Sequence, residues 1–535
     1  MPILHFSGPQ EHPDYLRNFF LLRSFLHFHQ IEVKPGNLLP CIYWGNSLPT
    51  STDKNTLSTP TPHFNPRDCG SLQALYIPAR PIFSSDPYEH RIKACHSWLE
   101  TNNTPHTAGT NSLPLNTVDF LTLHTSLSRP DPSLPQDTPP LKASYRDGQP
   151  LLQLPFDLLS CLADILYKTT DLLPENNNLA LWARYTHSDQ LLKLDQEPLV
   201  DNWIDQIAFW FFPLQVHKTT PQLWLTHDMD VLSKYPARTQ IKKWALSPWG
   251  LVSQAQKTRR ELKEILQLWR GKKDPFDQTA SLVQTNGLYG AHFFFLAQAH
   301  DHLAYRYHLS EKSAQTALAC LQGLAKNNGD ITLSWHGVSW LKENLEQMKN
   351  ELTNFQKHLN TFFPASHKNA STEFPNPNNL VMHRSHFLTS VPQKTFYLLN
   401  TLGVHIDSTL GYNDRPGFRC GTTRPFFWWD DFNQHALPLL EIPLIAAEFQ
   451  FGDTRAFPEE AAWAHWENLT KRCYRSGSIW TQLQHNNTFF EPDYPGIKPW
   501  YQKLVNSCQE QNWPAFKPHQ NYQALAQALL TPVSN

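Results

Sequence analysis

Glycine is scarce in this sequence, 20 residues in 535 against 43 prolines, which excludes a flexible glycine-rich chain and favours rigid connections. Cysteine is sparse as well, eight residues with no CxxC pair, so neither a disulfide scaffold nor a structural zinc knuckle is expected. Neither sign of charge prevails. With 45 Lys and Arg against 47 Asp and Glu the net charge is −2, which supplies no global attraction to nucleic acid or to an anionic membrane. Long apolar runs are missing. Arg23 interrupts the N-terminal apolar stretch, no basic segment precedes it, and the run from Ile207 to Leu214 is too short to span a bilayer. These features lead to the expectation of a cytoplasmic, reduced protein with no transmembrane segment and no nucleic-acid partner.

The chain is long enough to exceed the growth limit of one hydrophobic core, so two domains are expected, 1–215 and 216–535. Stretches 46–66, 101–150 and 364–379 read as loops, because Pro, Ser, Thr and Asn crowd out periodic apolar residues. Leu158, Leu159, Leu162 and Ile165 recur at helical spacing, and PLVDNWIDQIAFWFF reads as a second apolar helix. After Pro221 the pattern changes. QLWLTHD, AHFFFLA and DITLSWH read as buried strands, while 251–270 and 313–326 read as helices. Strands alternating with helices predict a parallel α/β sheet or barrel.

Acidic and imidazole groups recur at the ends of these strands, where α/β barrels place their chemistry. In THDMD, one carboxylate of the pair Asp228 and Asp230 can bind a cation while the other accepts a proton beside it; loop capping is the plainer alternative. His336 closes SWH as a plausible ligand. In VMHRSHF, Arg384 can hold a carboxylate in place, with His383 and His386 beside it. The segment HIDSTLGYNDRPGFRCGTTRPFFWWDD is dense in Gly, Arg and aromatic residues. It suits a sugar-binding wall, and core packing accounts for Phe426 to Trp429 equally well. WTQLQHNN ends a strand-like run at His485, whose imidazole can protonate a leaving amine.

The order of these five segments resembles the polysaccharide deacetylase superfamily, the NodB-homology or carbohydrate esterase family four proteins, and within it a bacterial subgroup with an N-terminal domain of unknown function. The resemblance covers about residues 150–505. It implies a distorted (β/α) barrel preceded by an α/β accessory domain. It also implies Asp228 as general base, Asp230 and His336 as metal ligands, His485 as general acid, and Arg384 and Asp407 as partners that orient the base. The implied cofactor is a divalent metal, zinc above all, and the implied reaction is removal of an N-acetyl group from a sugar of a glycan or glycan precursor. Two departures stand out. Trp340 occupies the place of a further family His, and indole offers no lone pair to a metal. The site is therefore expected either to recruit His227, His383 or His386 as a third ligand, or to be empty with Trp340 in a sugar-stacking wall. The segment 231–287 is an insertion beside the site, a lid or specificity element. Two rivals remain at this point: an inactive barrel that binds carbohydrate or a biosynthetic partner, and a hydrolase of another C–N bond.

Overall fold

A computed structural model describes residues 2–8, 10, 14–35, 41–45, 74–78, 142–146, 149–153, 158–168, 182–186, 189–190, 192–234, 263–266, 274–297, 309–328, 331–338, 344–362 and 380–530. Trp340, the segment 364–379, and most of the expected helix 251–270 lie outside them. So do most of the two N-terminal stretches expected as loops.

Two sheets organise the chain. The first is six-stranded, in the order β2-β1-β3-β4-β6-β5. Its strands are β1 (Ile3–Ser7), β2 (Glu32–Pro35), β3 (Cys41–Gly45), β4 (Ala74–Pro78), β5 (Lys142–Arg146) and β6 (Gln149–Gln153). β5 and β6 fall in or at the edge of the stretch expected as a loop. They pair antiparallel with Arg146 opposite Gln149, and the Asp147-Gly148 dipeptide between them is a strong two-residue hairpin signal that the surrounding prolines obscured.

The second sheet has nine strands and curls into a half-barrel, in the order β12-β13-β11-β10-β9-β8-β7-β15-β14. They are β7 (Gln222–Asp228), β8 (Ala291–Leu296), β9 (Ile331–Gly337), β10 (Val381–Ser385), β11 (Val404–Asp407), β12 (Phe426–Asp430), β13 (His435–Glu441), β14 (Ala446–Ala447) and β15 (Ile479–Leu483). Every neighbouring pair is parallel except β12 with β13. Helices Thr279–Asn286, Lys312–Asn328, Leu345–Phe362 and Pro392–Thr401 alternate with the strands, and this crossover pattern is what a parallel sheet requires. β8 is buried along its whole length, as expected for a strand covered on both faces. Among the described residues, no helix is long and apolar enough to cross a membrane.

The aromatic run Phe426 to Trp429 belongs to the core. All four side chains are buried. Trp428 stacks on Phe396 with centroids 4.2 Å apart, Trp429 meets Phe20, and Phe427 meets Tyr522. These rings fasten β12 to flanking helices on both faces, so they present no wall to a sugar.

The loop between β11 and β12 reaches the helices that precede the second sheet. Gly421 has φ +64, and a Cβ there would fall 2.9 Å from both Ile165 and Val200, a close approach only glycine allows. Its carbonyl accepts the backbone N–H of Val200 at 2.8 Å. Asp201, fully buried in helix Leu199–Phe211, accepts the Thr423 backbone N–H at 2.8 Å and the hydroxyls of Thr422 and Thr423 at 2.6 and 2.7 Å. Arg424 lies 3.6 Å from Asp201 and donates to Asp205 at 2.6 Å. One apolar core accordingly runs across residue 215, joining Leu159, Ile165 and Ile204 to Leu223, Phe293 and Ile406.

Candidate active site

Alternation along the strands decides which polar side chains meet. Successive residues face opposite sides of a sheet, so Thr226 and Asp228 share a face and His227 takes the other. Arg384 stands in register with His336. From β10 it reaches across to β7, donating from Nη1 to Thr226 Oγ1 at 3.0 Å and to Asp228 Oδ1 at 2.8 Å. Its Nε and Nη2 donate to the carbonyl and hydroxyl of Ser408 at 2.9 and 3.1 Å, and Phe294 lies 4.3 Å beneath the guanidinium. The carboxylate of Asp228 is thus clamped by a fully buried cation.

Asp230 lies two residues beyond, past the strand end, at the centre of three imidazoles. Its Oδ1 is 3.2 Å from His336 Nε2, and its Oδ2 is 3.3 Å from His386 Nε2 and 3.4 Å from His485 Nε2. Burial opposes the charge on Asp230, but His386, His336 and His485 outweigh it and hold the carboxyl well below the usual carboxylate range. Burial likewise opposes a charge on His336, and here Asp228 and then Asp230 prevail and raise it. His336 Nδ1 lies 2.9 Å from the Arg384 carbonyl; an N–H on that nitrogen leaves the Nε2 lone pair aimed into the cluster.

Ligand atoms of Asp230, His336 and His386 lie within 4.8 Å of one another, and all three residues are buried. Asp230 Oδ1, His336 Nε2 and His386 Nε2 make no well-formed hydrogen bond, their close polar contacts being within the cluster itself. Buried polar atoms are nearly always satisfied, so three orphaned lone-pair carriers converging on one point fit a cation. One carboxylate and two imidazoles are also the donor set of catalytic divalent-metal sites with an open position.

Of the histidines weighed as a third ligand, two are committed elsewhere. His227 lies 3.0 Å from the Gln484 carbonyl through Nδ1 and accepts from Asn286 at 2.9 Å through Nε2. Burial pushes it down to about 4. His383 lies with Nδ1 2.6 Å from Asp407 Oδ2 and packs on Trp335. His386 follows the last residue of β10, where the chain leaves the sheet and its ring can turn inward.

Asp407 takes no part in the cluster around Asp230. It accepts from the Thr409 backbone N–H and hydroxyl at 2.9 and 3.0 Å and stands opposite Glu441 in the sheet. Its connection to Asp228 is indirect: the turn it caps presents Ser408 to Arg384. Burial, then the charge of Asp407, pushes Glu441 well above the usual carboxylate range.

Glu448 was given no role in the sequence, yet it faces His485. His485 Nδ1 is 2.8 Å from Glu448 Oε1, which also accepts the Thr488 hydroxyl at 3.0 Å. Burial opposes a charge on His485; Glu448 first, and Asp230 with it, hold the imidazole well above its ordinary value. A fully buried carboxylate orienting an imidazole at a strand end is the arrangement a proton donor needs. The only sequence signal was an acidic residue inside an apolar run, AAEFQF.

The structure thus gathers Asp228, Asp230, His336, Arg384 and His485 at the C-terminal edge of the sheet, adds His386 and Glu448, and leaves Asp407 behind Ser408. No family model and no curated protein matches the sequence. Among solved structures, the chain is similar to the crystal structure of Puue allantoinase, with 11% identity and a TM-score of 0.33 over 58% of this chain and 90% of that one.

Proposed function

We propose that this protein is a metal-dependent amide hydrolase that removes an N-acyl group, N-acetyl first among them, from a sugar of a glycan or glycan precursor. The observation that carries the reading is the convergence of Asp230, His336 and His386 with ligand atoms that make no well-formed hydrogen bond. Those three residues would hold a divalent cation, for which zinc suits the donor set, and when bound it would polarise the scissile carbonyl and acidify water.

The remaining chemistry belongs to the chain itself. Asp228 accepts the water proton, and Arg384 at 2.8 Å fixes its carboxylate and favours the ionised form. On the other side of Asp230, His485 delivers a proton to the departing nitrogen while Glu448 keeps its ring oriented. No nucleophilic side chain is required, so the acyl group leaves directly to water. In this reading residues 216–535 carry the hydrolytic machinery and 1–215 an accessory role, sharing one core.

The experiment is metal titration of the purified chain together with acetate release from N-acetylglucosamine oligomers. Zinc should bind with one site per chain, and Asp228→Asn should retain it while losing on the order of 100-fold or more in turnover. Absence of metal uptake by the wild type would sink the reading. Zinc uptake without acetate release would move the substrate to another C–N bond.

A further inference from the structure

Three of the eight non-glycine residues with left-handed backbone among the described residues meet beside this site: Ala183 (φ 53), Phe387 (φ 59) and Leu388 (φ 56). L side chains are strained there, and Ala, Phe and Leu lack the local hydrogen bonds that ease Asn or Asp into that region. Strain of this kind persists where surrounding structure imposes it, and it concentrates at functional sites. Ala183 and Leu388 belong, with Leu444, Ala447 and Leu483, to a small buried apolar cluster distinct from the main core. Ala183 arrives from upstream of the nine-stranded sheet and is pinned by its carbonyl, which accepts the Asn413 backbone N–H at 2.7 Å.

Two half-buried phenyl rings border this junction, each against an imidazole of the site. Phe387 stacks on His386 with centroids 4.0 Å apart and planes at 24°. Phe449 packs on the apolar cluster and lies 5.6 Å from His485. Neither ring is wholly withdrawn from solvent. Burial alone accounts poorly for Phe387, whose strained backbone keeps its ring only partly covered.

We infer that Phe387 and Phe449 are specificity-determining residues that hold a flat, apolar ring face carried on the leaving-amine side of the scissile amide. The assignment of sides rests on the proposed function, since Phe449 abuts the imidazole that serves the departing nitrogen. A pyranose presents such a face through its C–H bonds, and an aryl group presents it directly.

Zinc-chelating amide mimics test this without knowledge of the natural substrate. The full zinc-loaded chain is titrated calorimetrically with acetohydroxamate, N-phenylacetohydroxamate and benzohydroxamate, which carry no ring, a ring on nitrogen and a ring on the acyl carbon. The N-phenyl compound should bind roughly tenfold more tightly than acetohydroxamate, the size of one well-formed ring contact. Phe449→Ala should erase that advantage and leave acetohydroxamate binding unchanged, and Phe387→Gly should erase it as well. Phe387→Gly should also melt no lower than wild type, because glycine accepts the left-handed backbone freely. Equal binding of acetohydroxamate and the N-phenyl compound would overturn the inference, and so would a gain confined to benzohydroxamate. Failure of zinc uptake would instead remove the metal centre itself, and this inference with it.

Discussion

Two groups of buried imidazole and carboxylate lie a few residues apart along β10 and differ in one respect. Behind the strands, His383, Asp407 and Glu441 bond to one another and to the turn at Thr409 and Leu410. In front, Asp230, His336 and His386 converge and leave lone pairs open. Residue types are nearly the same, so composition does not distinguish a brace from a candidate metal site. Satisfaction separates them in degree: behind the strands His383 and Asp407 bond to one another and Glu441 Oε2 alone lacks a hydrogen bond, whereas in front three converging ligand atoms lack one together, which is costly until something fills the gap.

Substituting one histidine from each group breaks or upholds the comparison. His386→Ala should weaken zinc binding by roughly 100-fold or more, as loss of a direct ligand exceeds the effect of outer partners. His383→Ala should leave zinc affinity within about twofold and lower the melting temperature by roughly 5 °C, since it strands the buried Asp407 carboxylate. Calorimetric zinc titration and thermal melts on both variants give the answer, and an exchange of the two phenotypes would reverse the assignment.

Glu448 sharpens it, because His485 is satisfied on one nitrogen and open on the other. Glu448→Gln should lower kcat by about 10- to 100-fold. It should also move the alkaline limb of the rate profile to lower pH, because the glutamate charge helps hold the imidazole above its ordinary value. An unmoved limb would return Glu448 to a packing role.

The smallest effect lies in the group behind the strands. Glu441 is raised in the folded state, so its contribution to stability is full below the ordinary carboxylate range and is lost as pH climbs through the folded value. Asp407 is depressed and behaves oppositely, losing its contribution on acidification. A glutamine amide in place of the Glu441 carboxyl cannot ionise and can still donate to Asp407. Glu441→Gln should therefore melt with wild type near pH 4 and above it at pH 8 by about 2–4 °C. Melts that run parallel across that range would refute the raised Glu441 carboxyl as the source of this pH dependence.

The strands were the most legible part. QLWLTHD, AHFFFLA and DITLSWH announce themselves by continuous apolar character and match Gln222–Asp228, Ala291–Leu296 and Ile331–Gly337. Their alternation with helices gave the parallel sheet. What the residues withheld was orientation. In VMHRSHF, which of His383 and His386 faces the cluster depends on where the chain leaves the sheet, a matter of one or two residues that apolar periodicity does not resolve. Phe426 to Trp429 suited a sugar wall and a core equally, because four consecutive aromatics carry no alternation; helices on both faces settled the matter. Glu448 follows a two-residue strand, too short to signal that its carboxylate sits at a sheet edge.

The bond between Asp201 and Thr423 spans 222 residues of chain. On a ribosome, helix Leu199–Phe211 emerges long before the loop that neutralises its acidic groups, so Asp201 and Asp205 must stay hydrated while most of the nine-stranded sheet is still being made. Closing that distance costs loop entropy, and the Asp201 carboxylate gains these partners only once the Gly421 loop has been made. A fragment beginning near residue 216 would reach the same stage with Arg424 buried and its two carboxylates missing, an uncompensated charge of the kind that unfolds proteins. The upstream helices in that sense supply the counter-charge that the sheet they precede requires.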